Sequence, residues 1–305
     1  MINSIDLQFF MVIARASSLA AAARLLNVTP PAVTQRLAAL EARLGVNLID
    51  RRGRHLTLTD EGELLLERSE RILAELGDIT DRINDRRGLI AGHLRIAAPI
   101  GFGREYIAPA VRTFKHAHPD ISVSLDLSDN PIGQQPENRD VIIHIGELRN
   151  QPFQMQHIAP NRRILCAAPA YIARFGPPAT ITDLAHHQCL ILRENDEDVS
   201  LWRFHAAAKP KTKETVRVNG DMTSNDGNVI RDWALAGMGI ALRSEWDVAQ
   251  HIRKGRLVEI LPDWQVDDAP IVALLGPRHF RAARIRHFIN HLRTCLTPVP
   301  WNAMP

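Results

Sequence analysis

The chain has 305 residues, of which 37 are Lys or Arg and 34 are Asp or Glu, so its formal charge is only +3. Its hydrophobic content of 45% is enough for two or three domains with normal cores. Three cysteines without CxxC spacing exclude a disulfide framework and fit a reducing compartment. No signal-like segment opens the chain, and no apolar run approaches the ~18 residues that span a bilayer. We therefore expect a cytoplasmic protein with no membrane partner.

After an apolar helix over residues 7–16, two short helices with a turn between them are predicted over residues 18–44. Ser18 is a favourable N-cap, and Asn27 can end the first helix because it tolerates a left-handed backbone. Thr29 caps the second helix, and Pro31 lies in its first turn, where no amide proton is needed. This pattern is typical of a helix-turn-helix.

The second helix has one apolar stripe, formed by Val33, Leu37, Leu40 and Leu44. The other faces carry small or polar side chains: Ala32, Thr34, Gln35, Arg36 and Ala39. Such a helix could enter a DNA major groove. The alternative is an ordinary helical hairpin inside a globular core.

Two apolar segments follow, with Arg51, Arg52 and Arg54 around Gly53 between them. This pattern suits a two-stranded wing whose tip meets phosphates or the minor groove. Residues 18–54 hold six arginines and two acidic residues and so carry +4, more than the whole chain. The concentration of charge favours a polyanionic partner.

A long helix is predicted from about residue 60 to 87, with Thr59 as its cap. Apolar residues recur in a heptad pattern with one polar interruption at Ser69, which predicts a coiled-coil seam that needs a partner to bury it. The alternative is that the helix packs on its own domain. The seam residues are Leu65, Ser69, Ile72, Leu76, Ile79 and Ile83.

Beyond a hinge near Gly88, strands alternate with helices, which predicts parallel sheets with a ligand crevice at the carboxyl ends of the strands. Gly101 and Gly103 begin a helix whose free amides could receive a carboxylate. A second sheet is predicted from residues 163–169, 189–192, 216–218 and 240–242, with a helix over 226–236. The proline-rich tail 297–305 is expected to be loose.

No catalytic set is present, because the Gly-x-Ser-x-Gly and Walker motifs are both missing. Neither His186 and His187 nor His116 and His118 have the partners of a metal site. Cys166 and Cys189 lie in apolar strand patterns, which favours buried thiols over a redox pair. We expect no enzyme activity, no cofactor and no metal.

The chain resembles the LysR-type transcriptional regulators over essentially its whole length. The N-terminal resemblance rests on these segments: residues 7–10, 18–26, 31–34, 40–45 and 58–62. The C-terminal resemblance rests on residues 140–148, 166–171, 236–241 and 255–258. It implies an α+β multidomain protein with an N-terminal winged helix-turn-helix, a long linker helix and a two-lobed α/β effector domain like a periplasmic binding protein.

The resemblance also implies roles for individual residues. The predicted DNA-binding residues are Ser18, Thr29, Pro30, Pro31, Thr34, Gln35, Arg36, Arg51, Arg52 and Arg54. Pro30 replaces a frequent Gln, and Gln35 replaces a frequent Arg and would favour adenine over guanine. The predicted effector-binding residues are Ile100, Gly101, Phe102, Ser128, His144, Ser224 and Asn225. Gly101 and His144 depart from the hydroxyl residue and Arg that are common there. Taken alone, each of these residues is better explained as structural, and His144 as a strand histidine with satisfied hydrogen bonds.

These observations predict a regulator that binds double-stranded promoter DNA and responds to a small-molecule effector, for which a carboxylate is one candidate. It is expected to form homodimers or tetramers and to contact RNA polymerase. The expected domains are residues 1–58, 59–88 and 89–305, with lobe I formed by 89–161 and 267–305 and lobe II by 162–266. The alternative is a solute-binding or enzymatic α/β protein with an N-terminal assembly module. A nucleoid-type DNA-packing protein is disfavoured by the two-lobed domain.

Overall fold

The computed structural model describes residues 2–50, 56–86, 90–133, 139–146, 148, 153–193, 200–206, 209–276 and 282–302. Within these ranges the chain forms two units, Met1–Arg87 and Gly88–Pro305. No helix in the described ranges is both long enough and apolar enough to cross a bilayer.

The helices and strands alternate along most of the chain. The α-helices are α1 (Ser4–Ala14), α2 (Leu19–Leu26), α3 (Pro30–Leu44), α4 (Asp60–Arg86), α5 (Ile100–Phe102), α6 (Ala108–Ala117), α7 (Pro169–Phe175), α8 (Gly227–Leu235), α9 (Glu245–Arg253) and α10 (Ala283–Cys295). The strands are β1 (Ile49–Asp50), β2 (Thr57–Leu58), β3 (Gly92–Pro99), β4 (Ile121–Ser128), β5 (Val141–Ile145), β6 (Gln154–Ala159), β7 (Arg163–Ala167), β8 (Cys189–Leu192), β9 (Leu201–Ala206), β10 (Lys209–Arg217), β11 (Met222–Ser224), β12 (Ile240–Ser244), β13 (Val258–Glu259), β14 (Trp264–Gln265) and β15 (Ile271–Leu275).

The predicted helix-turn-helix is confirmed, and its ends follow the expected backbone chemistry. Ser18 Oγ accepts a hydrogen bond from the Ala21 amide at 3.1 Å. Asn27 ends α2 in the left-handed region at φ 54°. Thr29 occupies the N-cap position of α3 but makes no side-chain cap, because Pro30 and Pro31 leave the first turn with few free amides.

The first unit has one core, to which α1, α2, α3 and the wing contribute. α1 begins before the predicted residue 7, because Asn3 and Asp6 form a reciprocal capping box. Phe10, Ile13, Val33 and Leu37 are completely buried in this core. α2 and α3 therefore rest on a rigid base.

The predicted wing is present as an antiparallel pair of short strands, with Ile49 opposite Leu58 and Asp50 opposite Thr57. Its expected tip, with Arg51, Arg52 and Arg54, lies outside the described residues. Thr59 caps α4, since its Oγ accepts a hydrogen bond from the Gly62 amide at 3.1 Å.

The alternative interpretation of α4, packing on its own domain, is confirmed for the start of the helix, whereas pairing with a second copy stays a prediction. Leu65 packs against the core of the first unit, and Ser69 is fully buried. Further along, four seam residues are 44–55% exposed: Ile72, Leu76, Ile79 and Ile83. The start of α4 is therefore scaffold, and its later part presents an apolar stripe.

In the part of the second unit that the structure describes, there are two five-stranded sheets and one three-stranded sheet. The first has the order β4-β3-β5-β15-β6, in which β3, β4 and β5 are parallel and β15 is antiparallel to its neighbours. The second has the order β11-β8-β12-β7-β13 and combines parallel β11, β8 and β12 with antiparallel β7 and β13. The two-lobed α/β architecture expected from the resemblance is confirmed.

One strand assignment was wrong. Val216 and Arg217 belong to β10, which pairs with β9 and lies in the three-stranded sheet rather than in the second large sheet. β11 takes the expected place beside β8. Alternating apolar residues correctly indicated a strand at 216–217, but alternation does not identify the partner strand.

The expectation of a loose tail was also wrong for residues 297–302. Trp301 lies in a short 3₁₀ turn and is 3% exposed. Its ring lies 5.3 Å from that of Tyr106 and 6.2 Å from that of Phe102. The prolines end α10, but they do not prevent an aromatic side chain from entering the core.

The chain passes twice between the two large sheets, and the two connections lie side by side. The side-chain amide of Asn161 donates to the Ala269 carbonyl at 2.8 Å. In return, the Ala269 amide donates to the Asn161 carbonyl at 3.1 Å.

Candidate functional site

The amino-terminal part of α3 presents an exposed polar face. All six of the predicted base-contacting residues are exposed: Thr29, Pro30, Pro31, Thr34, Gln35 and Arg36. Ser18 is also exposed, at the start of α2. The apolar stripe opposite this face is buried at Val33, Leu37 and Leu40 and only partly at Leu44.

The polar residues on this face differ in how free they are to reach a partner. Arg36 lies with its Cζ 4.3 Å from the centre of the Phe9 ring, and its Nη2 donates to the Ile5 carbonyl at 3.3 Å. Thr34 Oγ donates back to the Pro30 carbonyl at 3.1 Å. Gln35 makes no side-chain hydrogen bond within the described residues. Gln35 and Thr29, whose hydroxyl makes no cap hydrogen bond, are therefore the least constrained hydrogen-bonding side chains on the face.

Buried polar contacts hold α3 against the rest of the first unit. Glu41 is 7% exposed, and its Oε1 accepts from the Leu48 amide at 2.9 Å. Arg43 pairs with Asp6 of α1 at 2.9 Å and holds the pKa of that carboxyl below its usual value. These contacts join α3 to α1 and to the base of the wing.

A cavity of about 430 Å³ lies in the second unit, where the three sheets meet. Its wall contains Pro99, Ile100, Gly101, Phe102, Asp129, Ile145, Arg163, Leu190, Leu192, Leu201, Trp202, Arg203, Asn225, Gly227, Leu242, Arg243, Ser244, Trp246, Val266 and Asp267. Most of the residues in this wall are apolar, and its charged residues are three arginines and two aspartates. Such a cavity suits a small organic molecule with a charged group.

Four of the seven predicted effector-binding residues line this cavity: Ile100, Gly101, Phe102 and Asn225. Ser128, His144 and Ser224 are not part of its wall. Ser128 instead accepts from the Asn130 amide, and Ser224 accepts from the Asp226 amide, both at 3.1 Å. The roles proposed for these residues stay predictions.

His144 is 6% exposed in β5, opposite Val272 of β15. Burial, with a smaller contribution from Arg163, lowers the pKa of its imidazole to about 4. This lowered pKa keeps the imidazole neutral at pH 7. This environment agrees with a strand histidine rather than with a cation.

The three arginines of the cavity were not predicted from the sequence. Arg163 begins β7, Arg203 lies on β9, and Arg243 lies in the apolar strand β12. Of the three, Arg243 is buried, at 5% exposed. A cation directly after the apolar residues 240–242 was the one signal that could have identified it.

Arg243 belongs to a buried network on α8 and α9. Asp247 accepts from Arg243 Nε at 2.9 Å and from Arg231 Nη1 at 2.7 Å. Gly227 leaves the space that the guanidinium fills, because a Cβ there would lie 2.1 Å from Arg243 Nη2. The position of Arg243 on the cavity wall is thus fixed from two sides.

Each acidic residue of the wall has partners of its own. Asp129 accepts from Asn225 Nδ2 at 2.5 Å, and this hydrogen bond is the main cause of the lowered pKa of its carboxyl. Asp267 lies 3.7 Å from His205 Nδ1 and 3.7 Å from Lys213 Nζ.

Cys166 and Cys189 are both buried, and burial raises the pKa of each thiol to about 12. Thiols in this environment are poor nucleophiles, which supports their interpretation as core residues. Within the described ranges, no group of His, Cys, Asp and Glu has the arrangement of a metal site.

Two family models match the chain. Residues 5–63 match "Bacterial regulatory helix-turn-helix protein, lysR family", and residues 87–296 match "LysR substrate binding domain". Together they include both regions described above.

Curated proteins of similar sequence match nearly the full length of this chain. The transcriptional regulator DmlR of Escherichia coli K12 is 37% identical, over 94% of this chain and 92% of its own. The transcriptional activator TtdR of the same strain is 33% identical, over 94% and 91%.

Solved structures of full-length regulators share the fold. The virulence activator AphB of Vibrio cholerae has a TM-score of 0.64 and 25% identity, covering 95% of this chain and 98% of its own. CrgA from Neisseria meningitidis, a LysR-type regulator, has a TM-score of 0.58 and 26% identity, covering 98% and 100%. The relatives named here are regulators rather than enzymes, and the chain belongs to the LysR family of DNA-binding transcriptional regulators, with a helix-turn-helix domain followed by an effector-binding domain.

Proposed function

We propose that this protein controls transcription by binding promoter DNA through its winged helix-turn-helix in response to a small organic anion held between its two lobes. The observation that carries the proposal is the exposed polar face of α3, held on a rigid core within a domain of matching family. Gln35, Thr29 and Thr34 are the proposed base readers. Ser18, Arg51, Arg52 and Arg54 are the proposed phosphate or minor-groove contacts.

Arg36 takes a different part in this proposal. Its guanidinium covers Phe9 and donates to the Ile5 carbonyl, so reaching a base edge would break a contact that joins α3 to α1. We assign it to orienting α3 and to phosphate contact rather than to base readout.

The proposed domains are residues 1–58 for DNA binding, 59–88 for the linker helix and 89–305 for effector binding. The exposed stripe on α4 supports pairing with a second copy, because its apolar side chains would be buried against the same stripe of a second α4. A two-fold dimer, or a tetramer of two dimers, would present recognition helices to two half-sites of one operator. RNA polymerase is a proposed further partner.

The effector site is proposed to be the cavity. Its arginines and the beginning of α8 favour an anion, and its leucines and tryptophans favour a hydrocarbon body. A carboxylate is the effector chemistry that meets both conditions. Closure of the lobes on this ligand would alter the separation of the recognition helices through the hinge near Gly88.

Binding to DNA can be tested by fluorescence anisotropy with a duplex from beside the protein's own gene and with a scrambled duplex of equal length. Specific affinity should fall steeply with salt. Gln35→Ala should weaken binding to the specific duplex by about tenfold, with little effect on the scrambled one. Arg51→Ala should weaken both and reduce the salt dependence.

Arg68→Gln, at an exposed position on α4, is the matched control and should behave like the wild type. Equal, weak affinity for both duplexes at low salt would contradict the proposal.

A further inference from the structure

Arg243 is a cation in an unusual position. It lies on the central strand of the second sheet, is 5% exposed, and forms part of the cavity wall. A buried charge is costly unless it is paired and hydrogen-bonded. The acidic partners of Arg243 therefore determine whether its charge is balanced without a ligand.

Among the described residues, Arg243 forms an ion pair with one carboxylate, and it shares this carboxylate with Arg231. Asp247, whose side chain is 0% exposed, accepts from both Arg243 and Arg231. Arg231 has a second acidic partner, the exposed Asp232 at 3.3 Å. Glu105 interacts electrostatically with Arg231 and Asp247 but does not line the cavity. Of these five groups only Arg243 lines the cavity, so the network presents an excess of positive charge to the cavity.

The rest of the wall increases this excess. Arg163 and Arg203 make no ion pair with any described residue. The two aspartates of the wall are already engaged, Asp129 with Asn225 and Asp267 with His205 and Lys213. An anion in the cavity would complete the charge balance.

The guanidinium of Arg243 is also held in one orientation. Its Nε and Nη2 face Asp247, at 2.9 and 2.8 Å. Gly227 permits it to lie directly against the first residue of α8. A guanidinium has five N–H donors, so donors remain for a ligand after those used by Asp247.

We propose, on the basis of the effector function proposed above, that Arg243 binds the carboxylate of a small organic acid and that Asp247 is the positioning residue that orients Arg243. The apolar wall, with Leu190, Leu242 and Trp246, receives the hydrocarbon part of this acid. Free inorganic anions lack such a part and bind weakly.

The test compares acids with their amides by isothermal titration calorimetry, using benzoate against benzamide and succinate against succinamide as probes. The full-length wild-type protein should bind at least one acid about tenfold or more tightly than its amide, because only the acid forms a charge-assisted pair with Arg243. Arg243→Gln should bring this ratio close to one. Arg243→Lys, which keeps the charge but loses the planar fork, should give an intermediate ratio.

Asp247→Asn tests the positioning role. The amide that replaces the carboxylate cannot supply a charge to the network, so Arg243 should lose its orientation and the acid-to-amide ratio should fall. A substitution that only destabilised the fold would weaken the binding of acid and amide equally and leave the ratio of their affinities unchanged. Arg174→Gln is the matched control, since Arg174 lies over Phe175 on the lobe surface and does not line the cavity.

Two results would overturn the inference. One is a wild-type protein that prefers neither acid to its amide, and the other is an unchanged ratio in Arg243→Gln. The affinity of the wild-type protein for the specific duplex is measured in the same preparation. If DNA binding is specific but the acid-to-amide ratio is one, the inference about Arg243 fails and the proposed DNA-binding function does not. If Asp247→Asn does not fold, the Arg243→Gln and Arg243→Lys ratios still decide whether Arg243 reads the carboxylate.

Discussion

At the scale of single residues, His144 illustrates how burial changes the charge state of a side chain. A strand histidine near a ligand crevice could be a cation that attracts an anion. In β5 it is buried, and its pKa is lowered to about 4 from an ordinary value of 6.5. The neutral imidazole is therefore the form that the folded protein stabilises.

This lowered pKa makes stability depend on pH. As the pH falls from 7 to 5, the unfolded chain protonates at His144 while the folded chain does not, so the unfolding free energy should fall by about 2 kcal/mol from this group. In His144→Gln this part of the loss should disappear. Urea denaturation at both pH values, on wild type and variant, measures it. An equal loss in both proteins would contradict the prediction, since the other histidines are common to them.

Two glycines of α4 offer a second test at this scale. A Cβ on Gly62 would lie 2.1 Å from the Leu48 carbonyl oxygen, whereas a Cβ on Gly77 would meet nothing within 4 Å. Gly62→Ala should destabilise the first unit by about 1–3 kcal/mol, because backbone atoms must move apart. Gly77→Ala, its matched control, should stabilise α4 by up to about 1 kcal/mol. Thermal unfolding followed by circular dichroism distinguishes the two, and similar shifts in both variants would contradict this account.

Among the secondary-structure elements, α4 combines two roles in one continuous helix. Its first turns pack on the core of the first unit, supported by Arg15 directly after α1, which pairs with Glu70 at 2.9 Å. Its later turns carry the exposed apolar stripe. The heptad pattern predicted one seam, and only tertiary packing divides that seam between the core of the first unit and an exposed stripe.

Charges placed in the stripe should prevent pairing. Ile79→Glu combined with Ile83→Glu should weaken self-association by at least about tenfold, because each new carboxylate would lose water at the interface. Arg68→Glu, at an exposed position of the same helix, should have a small effect. Sedimentation velocity over a range of concentrations gives the comparison. An unchanged oligomeric state in the double variant would show that α4 is not the pairing surface.

On the scale of the whole second unit, an aromatic cluster joins distant parts of the chain. The ring of Trp301, from the tail, contacts those of Phe102 and Tyr106. Phe102 ends α5, and Tyr106 lies in the helical turn that follows and stacks on Phe102. Trp246, from α9 beside the second sheet, contacts both Phe102 and Tyr106. Since Trp246 and Phe102 also line the cavity, this cluster forms part of its floor.

Removal of Trp301 should therefore weaken the second unit. Trp301→Ala should cost about 3–5 kcal/mol, the usual range for a buried aromatic side chain. The slowest amides of β3 and β15 should exchange faster by hydrogen–deuterium exchange, while those of α3 in the first unit should not change. Asn302→Ala, at the exposed neighbouring position, is the control. Unchanged exchange in β3 would mean that Trp301 adds little to this core.

The amino-acid sequence by itself determined the family, the helix-turn-helix with its caps at Ser18 and Asn27, and the order of most strands and helices. These features depend on periodicity and cap chemistry, which act over a few residues and are visible locally. Tertiary structure alone decided that Arg163, Arg203 and Arg243 share one cavity, that Arg36 covers Phe9, that β10 leaves the second sheet, and that Trp301 is buried. Each of these depends on contacts between residues far apart in the chain, which no local pattern records.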